Sequence, residues 1–153
     1  MDLIELASRD VRTVDVSCTL LEAARQMSEH SVGALVITDE SGDVPIGILT
    51  DRDVVMLLAR GVDPQTETVA PLTRRKLETL EPGEGLQHVA HKMRKHAVRR
   101  LPIVDAEGRL AGIVSMDDIL VLLGRGMADV AMAVEGELRH ERDSHGGETP
   151  GSG

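Results

Sequence analysis

Gly47-Ile48-Leu49-Thr50-Asp51-Arg52-Asp53 and Gly112-Ile113-Val114-Ser115-Met116-Asp117-Asp118 are one phrase written twice, with starts 65 residues apart. Each reads Gly, two apolar residues, a hydroxyl, two variable residues and Asp. In each, a β-rich run ends at the hydroxyl and an apolar helical pattern begins after it. A hydroxyl at a helix start with a carboxylate three residues on has two uses. It closes a capping box, in which the two side chains satisfy free backbone N–H groups. Alternatively it receives a phosphate and a sugar, because a helix N-terminus offers unpaired N–H groups and a partial positive charge. Spacing alone leaves both readings open.

Around this phrase the whole chain repeats. At an offset of 66, Leu6 meets Leu72, Thr13 meets Thr79, Ala24 meets Ala90, Met27 meets Met93, Leu35 meets Leu101 and Asp39 meets Asp105. After a one-residue difference in the next turn the offset is 65, and Gly47 meets Gly112 and Asp53 meets Asp118. The units run from 1 to 66 and from 67 to 126, and they share one grammar. A short apolar stretch (Val11 to Val16; Leu77 to Leu80) predicts a strand. A helix follows, from about Thr19 in the first unit, where Thr19 and Glu22 have capping-box spacing. Its apolar stripe is Leu20, Ala23, Ala24 and Met27, matched by Leu86, Val89, Ala90 and Met93. Two apolar runs then flank a Gly-bearing turn, which predicts hairpins of Ala34–Thr38 with Ile46–Leu49 and of Leu101–Val104 with Leu110–Val114. A second helix closes each unit: Asp51–Arg60, stopped by Gly61, and Met116–Leu123, stopped by Gly124. Beyond it the spacing predicts an amphipathic helix over 127–141, and the Gly, Ser, Pro and charge of 142–153 predict disorder.

Composition narrows the function. The 153 residues include no Phe, Tyr or Trp, which disfavours functions that stack bases on them, and one cysteine, Cys18, which excludes an internal disulfide and gives no metal-type Cys spacing. The net charge of −9 argues against a nucleic-acid partner. No apolar run reaches the roughly 18 residues of a membrane span, and the acidic start lacks a signal-peptide pattern, so a cytoplasmic location is expected. Residues 1–66 carry a net −7 while 67–134 carry +1, with cations gathered in Arg74-Arg75-Lys76 and in Lys92, Arg94, Lys95, Arg99 and Arg100. A small anion has a local positive site there.

The strand-helix-strand-strand-helix order, the run Arg99-Arg100-Leu101-Pro102-Ile103-Val104-Asp105 and the paired Gly-x-x-(Ser/Thr)-x-x-Asp phrases resemble the cystathionine-β-synthase (CBS) domain. Two in tandem resemble a Bateman module. The resemblance implies an α/β (α+β) fold: two β-α-β-β-α units packed as a pseudo-two-fold pair, followed here by a C-terminal helix. It implies a regulatory role without catalysis, a homodimer of modules, and adenine nucleotides (AMP, ADP or ATP) or S-adenosyl compounds as ligands. Carried over by position, it implies that Thr50, Asp53, Ser115 and Asp118 meet phosphate and ribose. Adjacent strand residues face opposite sides, so one of Arg99 and Arg100 faces a given cleft; the resemblance favours Arg100, with Arg99 the weaker candidate. Val14, Val16, Leu80 and Pro82 are candidate walls for the base, or simply core.

Other constellations are weaker. Glu84, His88 and His91 have the spacing of a zinc set on a helix, but Lys92, Arg94 and Lys95 crowd the same segment and favour a solvated basic face. Cys18 has no base at a readable spacing. No catalytic motif is present. The expectation is therefore a nucleotide-binding sensor with no metal, no membrane and no nucleic acid; the alternative is a dimerisation module with empty clefts.

Overall fold

Thr19 begins the first long helix as its spacing requires. Its Oγ1 accepts from Glu22 N at 3.2 Å, and its own N–H donates to Glu22 Oε2 at 3.2 Å. Two free N–H groups are thereby satisfied, and the helix runs Leu20–His30. The counterpart of Thr19 in the second unit is Gly85, which caps nothing, yet the helix there covers the matching span, Leu86–His96. Both helices stop in the same way. Ser31 and Ala97 adopt the left-handed conformation, with φ of 52° and 53°. Val32 N then bonds Met27 O at 3.1 Å, and Val98 N bonds Met93 O at 3.0 Å. The duplication is legible down to backbone dihedrals.

In a computed structural model of the chain, which describes residues 3–146, the element order is α1 (Leu3–Leu6), β1 (Thr13–Asp15), α2 (Leu20–His30), β2 (Ala34–Thr38), β3 (Pro45–Thr50), α3 (Asp51–Ala59), a 3-10 turn (Ala70–Thr73), α4 (Leu86–His96), β4 (Arg100–Val104), β5 (Leu110–Ser115) and α5 (Met116–His145). β1 pairs parallel to β2, and β2 antiparallel to β3. β4 and β5 form the second hairpin. A register shift falls between Ile37 and Thr38 in one hairpin and between Ile103 and Val104 in the other, at corresponding places. The fold is the expected mixed α/β pair of β-α-β-β-α units with a long C-terminal helix.

The strand expected over Leu77 to Leu80 is reduced to a single parallel bridge, Leu80 with Ile103. The cause lies in its neighbour. In the first unit Val36 N donates to Arg12 O at 3.0 Å. The residue matching Val36 is Pro102, which has no N–H, so the equivalent rung to Glu78 cannot form. Only the bonds from Leu80 N to Pro102 O (2.8 Å) and from Val104 N to Leu80 O (2.9 Å) remain.

Burial follows the repeat. Val14, Ala23, Met27, Leu35, Ile37 and Leu49 are buried, and so are their counterparts Leu80, Val89, Met93, Leu101, Ile103 and Val114. The units also exchange their leading segments. Ser8 forms an antiparallel bridge to Ile113 of β5, with N···O distances of 3.0 and 3.1 Å. In return, the 3-10 turn that leads into the second unit packs on β3. Each crossing lies over the first glycine of the phrase. A Cβ on Gly112 would stand 3.2 Å from both Ala7 Cβ and Ser8 O; one on Gly47 would stand 3.2 Å from Thr73 Cγ2 and 3.4 Å from Leu72 O.

By its contacts the chain divides into two compact bodies, Met1–Met116 and Asp117–Gly153. The second is the greater part of α5. Here the expected stop at Gly124 is overturned: the helix passes through Gly124 and Gly126 and takes in the separate helix expected over 127–141. Gly61 ends α3 because the chain turns there, with φ of 84°, and Pro64 follows. After Gly124 no proline appears until Pro150, and the run from Met127 to Val134 is rich in helix formers. Gly124, Gly126 and Gly136 cost about 1 kcal/mol each within a helix, too little to break this one. Of the disordered tail expected over 142–153, Arg142 to His145 are helical, and 147–153 lie outside the described residues. No helix among the described residues is long and apolar enough to cross a membrane.

Two substitutions test these readings by urea denaturation. Gly112→Val forces β5 away from Ala7 and Ser8 and is expected to lower stability by about 1–3 kcal/mol. Ala97→Gly relieves the left-handed strain at a small entropic cost and is expected to raise stability by about 0.5–1 kcal/mol.

Candidate functional site

The site begins at the end of β3. Thr50, opposite Ala34 in the sheet, is still extended (φ −109°, ψ 161°) and is the N-cap of α3. Its Oγ1 accepts from Asp53 N at 3.2 Å. Oδ2 of Asp53 accepts from Thr50 N at 2.8 Å and from Thr50 Oγ1 at 2.9 Å. The capping box is therefore formed. It does not consume the site, because both bonds to the carboxylate fall on Oδ2 and leave Oδ1 as a further acceptor. Thr50 and Asp53 are each half-buried, so their remaining polar capacity reaches solvent.

The second unit delivers a cation to the same place. Arg100 opens β4 and is half-buried. A Cβ built on Gly33 would lie 3.7 Å from Arg100 Nη2 and 3.3 Å from Asp51 Oδ2. Gly33, whose carbonyl accepts from Asp51 N at 3.0 Å, thus sits between the guanidinium and the first turn of α3. The arrangement brings Arg100, nominated from the second unit's strand, near Gly33 and Asp51, in the first turn of the helix that Thr50 and Asp53, nominated from the first phrase, cap. It also brings in Asp51 and Gly33, which sequence reasoning missed as site residues. The signal available for Gly33 was its position: it stands where the second unit has Arg99, and a residue without a side chain there leaves room for an incoming one.

Of the other nominated residues, Ser115 ends β5 opposite Arg100, and Asp118 lies in the first turn of α5. Arg99 is exposed and its carbonyl accepts from Met116 N at 2.7 Å. Arg99, Ser115 and Asp118 each have a further hydrogen-bonding or electrostatic partner. Val14 and Leu80 are buried in the core. The register separates Val16 from Thr50. Val14 pairs with Ile37 while Thr50 pairs with Ala34, three residues away, and Val16 lies further along in the same direction. At about 3.3 Å per residue, Val16 is at the opposite end of the sheet. The same register carries the start of β1, towards Val11, to the end where Thr50 stands. Pro82, half-buried, follows Leu80 in the second unit.

Glu84 is the hub of a polar cluster at the start of α4. Oε1 of Glu84 accepts from Glu81 N and from Lys92 Nζ, both at 3.1 Å, and Lys92 Nζ also donates to Thr79 O at 2.9 Å. Nε2 of His88 stands 3.1 Å from Glu84 Oε2, while His91 is exposed. Among the described residues no three His, Cys, Asp or Glu side chains are placed to hold a metal ion. Burial, together with the carboxylate of Glu22, pushes the Cys18 thiol up to about 11, so it is a poor nucleophile near neutral pH.

Comparison with known proteins identifies the family. The model of the CBS domain family matches residues 3–60 and 69–125. An uncharacterized protein of Methanopyrus kandleri is 39% identical over 117 residues; the match spans 76% of this chain and 59% of that one. Hypoxic response protein 1 of Mycobacterium tuberculosis is 40% identical over 118 residues, 73% of this chain and 81% of the relative. The crystal structure of Hypoxic Response Protein I, described with two coordinated zinc ions, superposes with a TM-score of 0.70 at 36% identity, over 78% of this chain and 97% of that one. The CBS domain pair of protein MJ0100, solved in complex with 5′-methylthioadenosine and S-adenosyl-L-methionine, superposes with a TM-score of 0.71 at 30% identity, over 80% of this chain and 99% of that one. With two matched domains covering most of its length, the chain belongs to the CBS domain family, as a tandem pair.

Proposed function

We propose that this CBS pair is a regulatory sensor of an adenine nucleotide. The observation that carries the reading is the convergence of Arg100, from the second unit, on the N-terminus of α3, from the first. A guanidinium beside the free N–H groups of a helix start suits a phosphate. In this reading the hydroxyl of Thr50 turns from Asp53 to the phosphate, and Oδ1 of Asp53 accepts from the ribose. The base lies across the strand ends towards the start of β1. By the repeat, Ser115 and Asp118 are the counterparts of Thr50 and Asp53 and form the second candidate pair. A ligand that touches both units favours one arrangement of them, and regulation follows if it binds two arrangements with different affinity. A homodimer is part of the same reading, and exposed Val55, Met56 and Leu58 on α3 support it.

One observation favours a second ligand class. Asp51 Oδ2 and Arg100 Nη2 lie 3.3 and 3.7 Å from the same Cβ position on Gly33, and a carboxylate this near repels a phosphate and attracts a sulfonium or an amino group. The related pair that holds S-adenosyl-L-methionine and 5′-methylthioadenosine points the same way.

Calorimetric titration with AMP, ADP, ATP, S-adenosylmethionine and 5′-methylthioadenosine separates these readings. For a nucleotide sensor, Arg100→Ala is expected to weaken AMP or ATP at least tenfold and to leave 5′-methylthioadenosine, which has no phosphate, within about twofold. Asp51→Asn is expected to tighten the phosphorylated ligands and weaken S-adenosylmethionine. Asp53→Asn keeps a capping oxygen and is expected to weaken every adenosine ligand. The absence of heat and of thermal stabilisation with all five compounds would sink the sensor reading and leave the capping box and a dimerisation module.

A further inference from the structure

We infer that α5 is a self-association element that pairs antiparallel with α5 of a second copy of this chain. The proposal stands on α5 alone and does not depend on the ligand reading. Leu120, Gly124, Met127, Ala131, Val134 and Leu138 recur at alternating spacings of four and three residues. This is the repeat of a two-helix seam. No charged residue interrupts the stripe from Leu120 to Leu138, and its members are exposed.

The area is sufficient for a dimer. Leu120, Leu123, Met127, Val130, Val134 and Leu138 are each about half to three-quarters exposed. At on the order of 100 Å² apiece they present roughly 600 Å² per copy, or about 1,200 Å² for the pair, the lower end of standard-size interfaces. The area per copy matches the upper end of the largest apolar patch on a typical monomer, and such patches are often functional.

The identity and direction of the partner follow from the order of sizes along the stripe. Large and small residues are arranged about a two-fold axis at position 129. Laid antiparallel on a copy of itself, the stripe sets Leu120 against Leu138, Gly124 against Val134 and Met127 against Ala131, each layer occurring twice. Large faces small in the inner layers, as close packing requires. Laid parallel and in register, it sets Gly124 on Gly124 and Ala131 on Ala131, which leaves voids. A surface complementary to itself through a two-fold axis is what an isologous contact needs.

Analytical ultracentrifugation of the full chain tests the contact. Association of the wild type is expected between about 1 and about 100 μM, and Met127→Asp is expected to raise the dissociation constant at least about 30-fold by burying an unpaired carboxylate. A wild type that stays monomeric over that range, or a Met127→Asp variant that associates unchanged, would overturn the proposal. Direction is read by oxidation in a Cys18→Ser background. Met127→Cys mixed with Ala131→Cys is expected to give mainly the mixed disulfide, with little from either variant alone. Equal or greater yields from each variant alone would overturn the antiparallel pairing, whatever Met127→Asp does to folding.

Discussion

Two glycines set the distance at which the halves of this protein meet. A single added carbon at Gly112 would press on Ala7 and Ser8, and one at Gly47 would press on Leu72 and Thr73. Because each contact joins the last strand of one unit to the leader of the other, neither unit keeps its own leader. A unit of about 60 residues buries too little apolar surface to be stable alone, and the exchange makes the pair the folding entity. The first residue of the repeated phrase therefore serves packing, while its fourth and seventh residues form the helix start. Structure and candidate chemistry are written in the same seven residues.

The capping box does not exhaust the polar groups of this helix start. Thr50 and Asp53 do bond each other, as capping requires, and the bonds converge on one carboxylate oxygen. A helix start held in this way is preorganised: the side chains that would meet a nucleotide already stand in fixed rotamers. What distinguishes this helix start from that of α2, which has a complete capping box at Thr19 and Glu22, is the arrival of Arg100 from the other unit.

The duplication also shows where copies part. Gly85 stands where the first unit has Thr19, and Pro102 where it has Val36. The first loss removes a cap without shortening α4. The second removes an N–H and with it a strand rung, so the second sheet is narrower than the first. Gly33 and Arg99, and Ala34 and Arg100, are the corresponding pairs that make the module electrically asymmetric: the guanidinium of Arg100 lies near the helix start of the first unit.

Local physics was enough to read much of this protein from its sequence. The repeat, both hairpins, the capping at Thr19 and Thr50, the end of α3 at Gly61 and the paired phrases all depend on neighbours within a few residues, and periodicity records them. The missing rung at Pro102 was also readable, once Pro102 is set against Val36. Other features depend on residues far apart in the chain, and only the tertiary structure decided them. The close approach at Gly47 and Gly112, the placing of Arg100 beside Gly33 and Asp51, and the separation of Val16 from Thr50 follow from strand register and leader exchange. Gly124 belongs between the two: its stop signal was local and real, but a helix ends at glycine only where the chain turns, and nothing in α5 turns it.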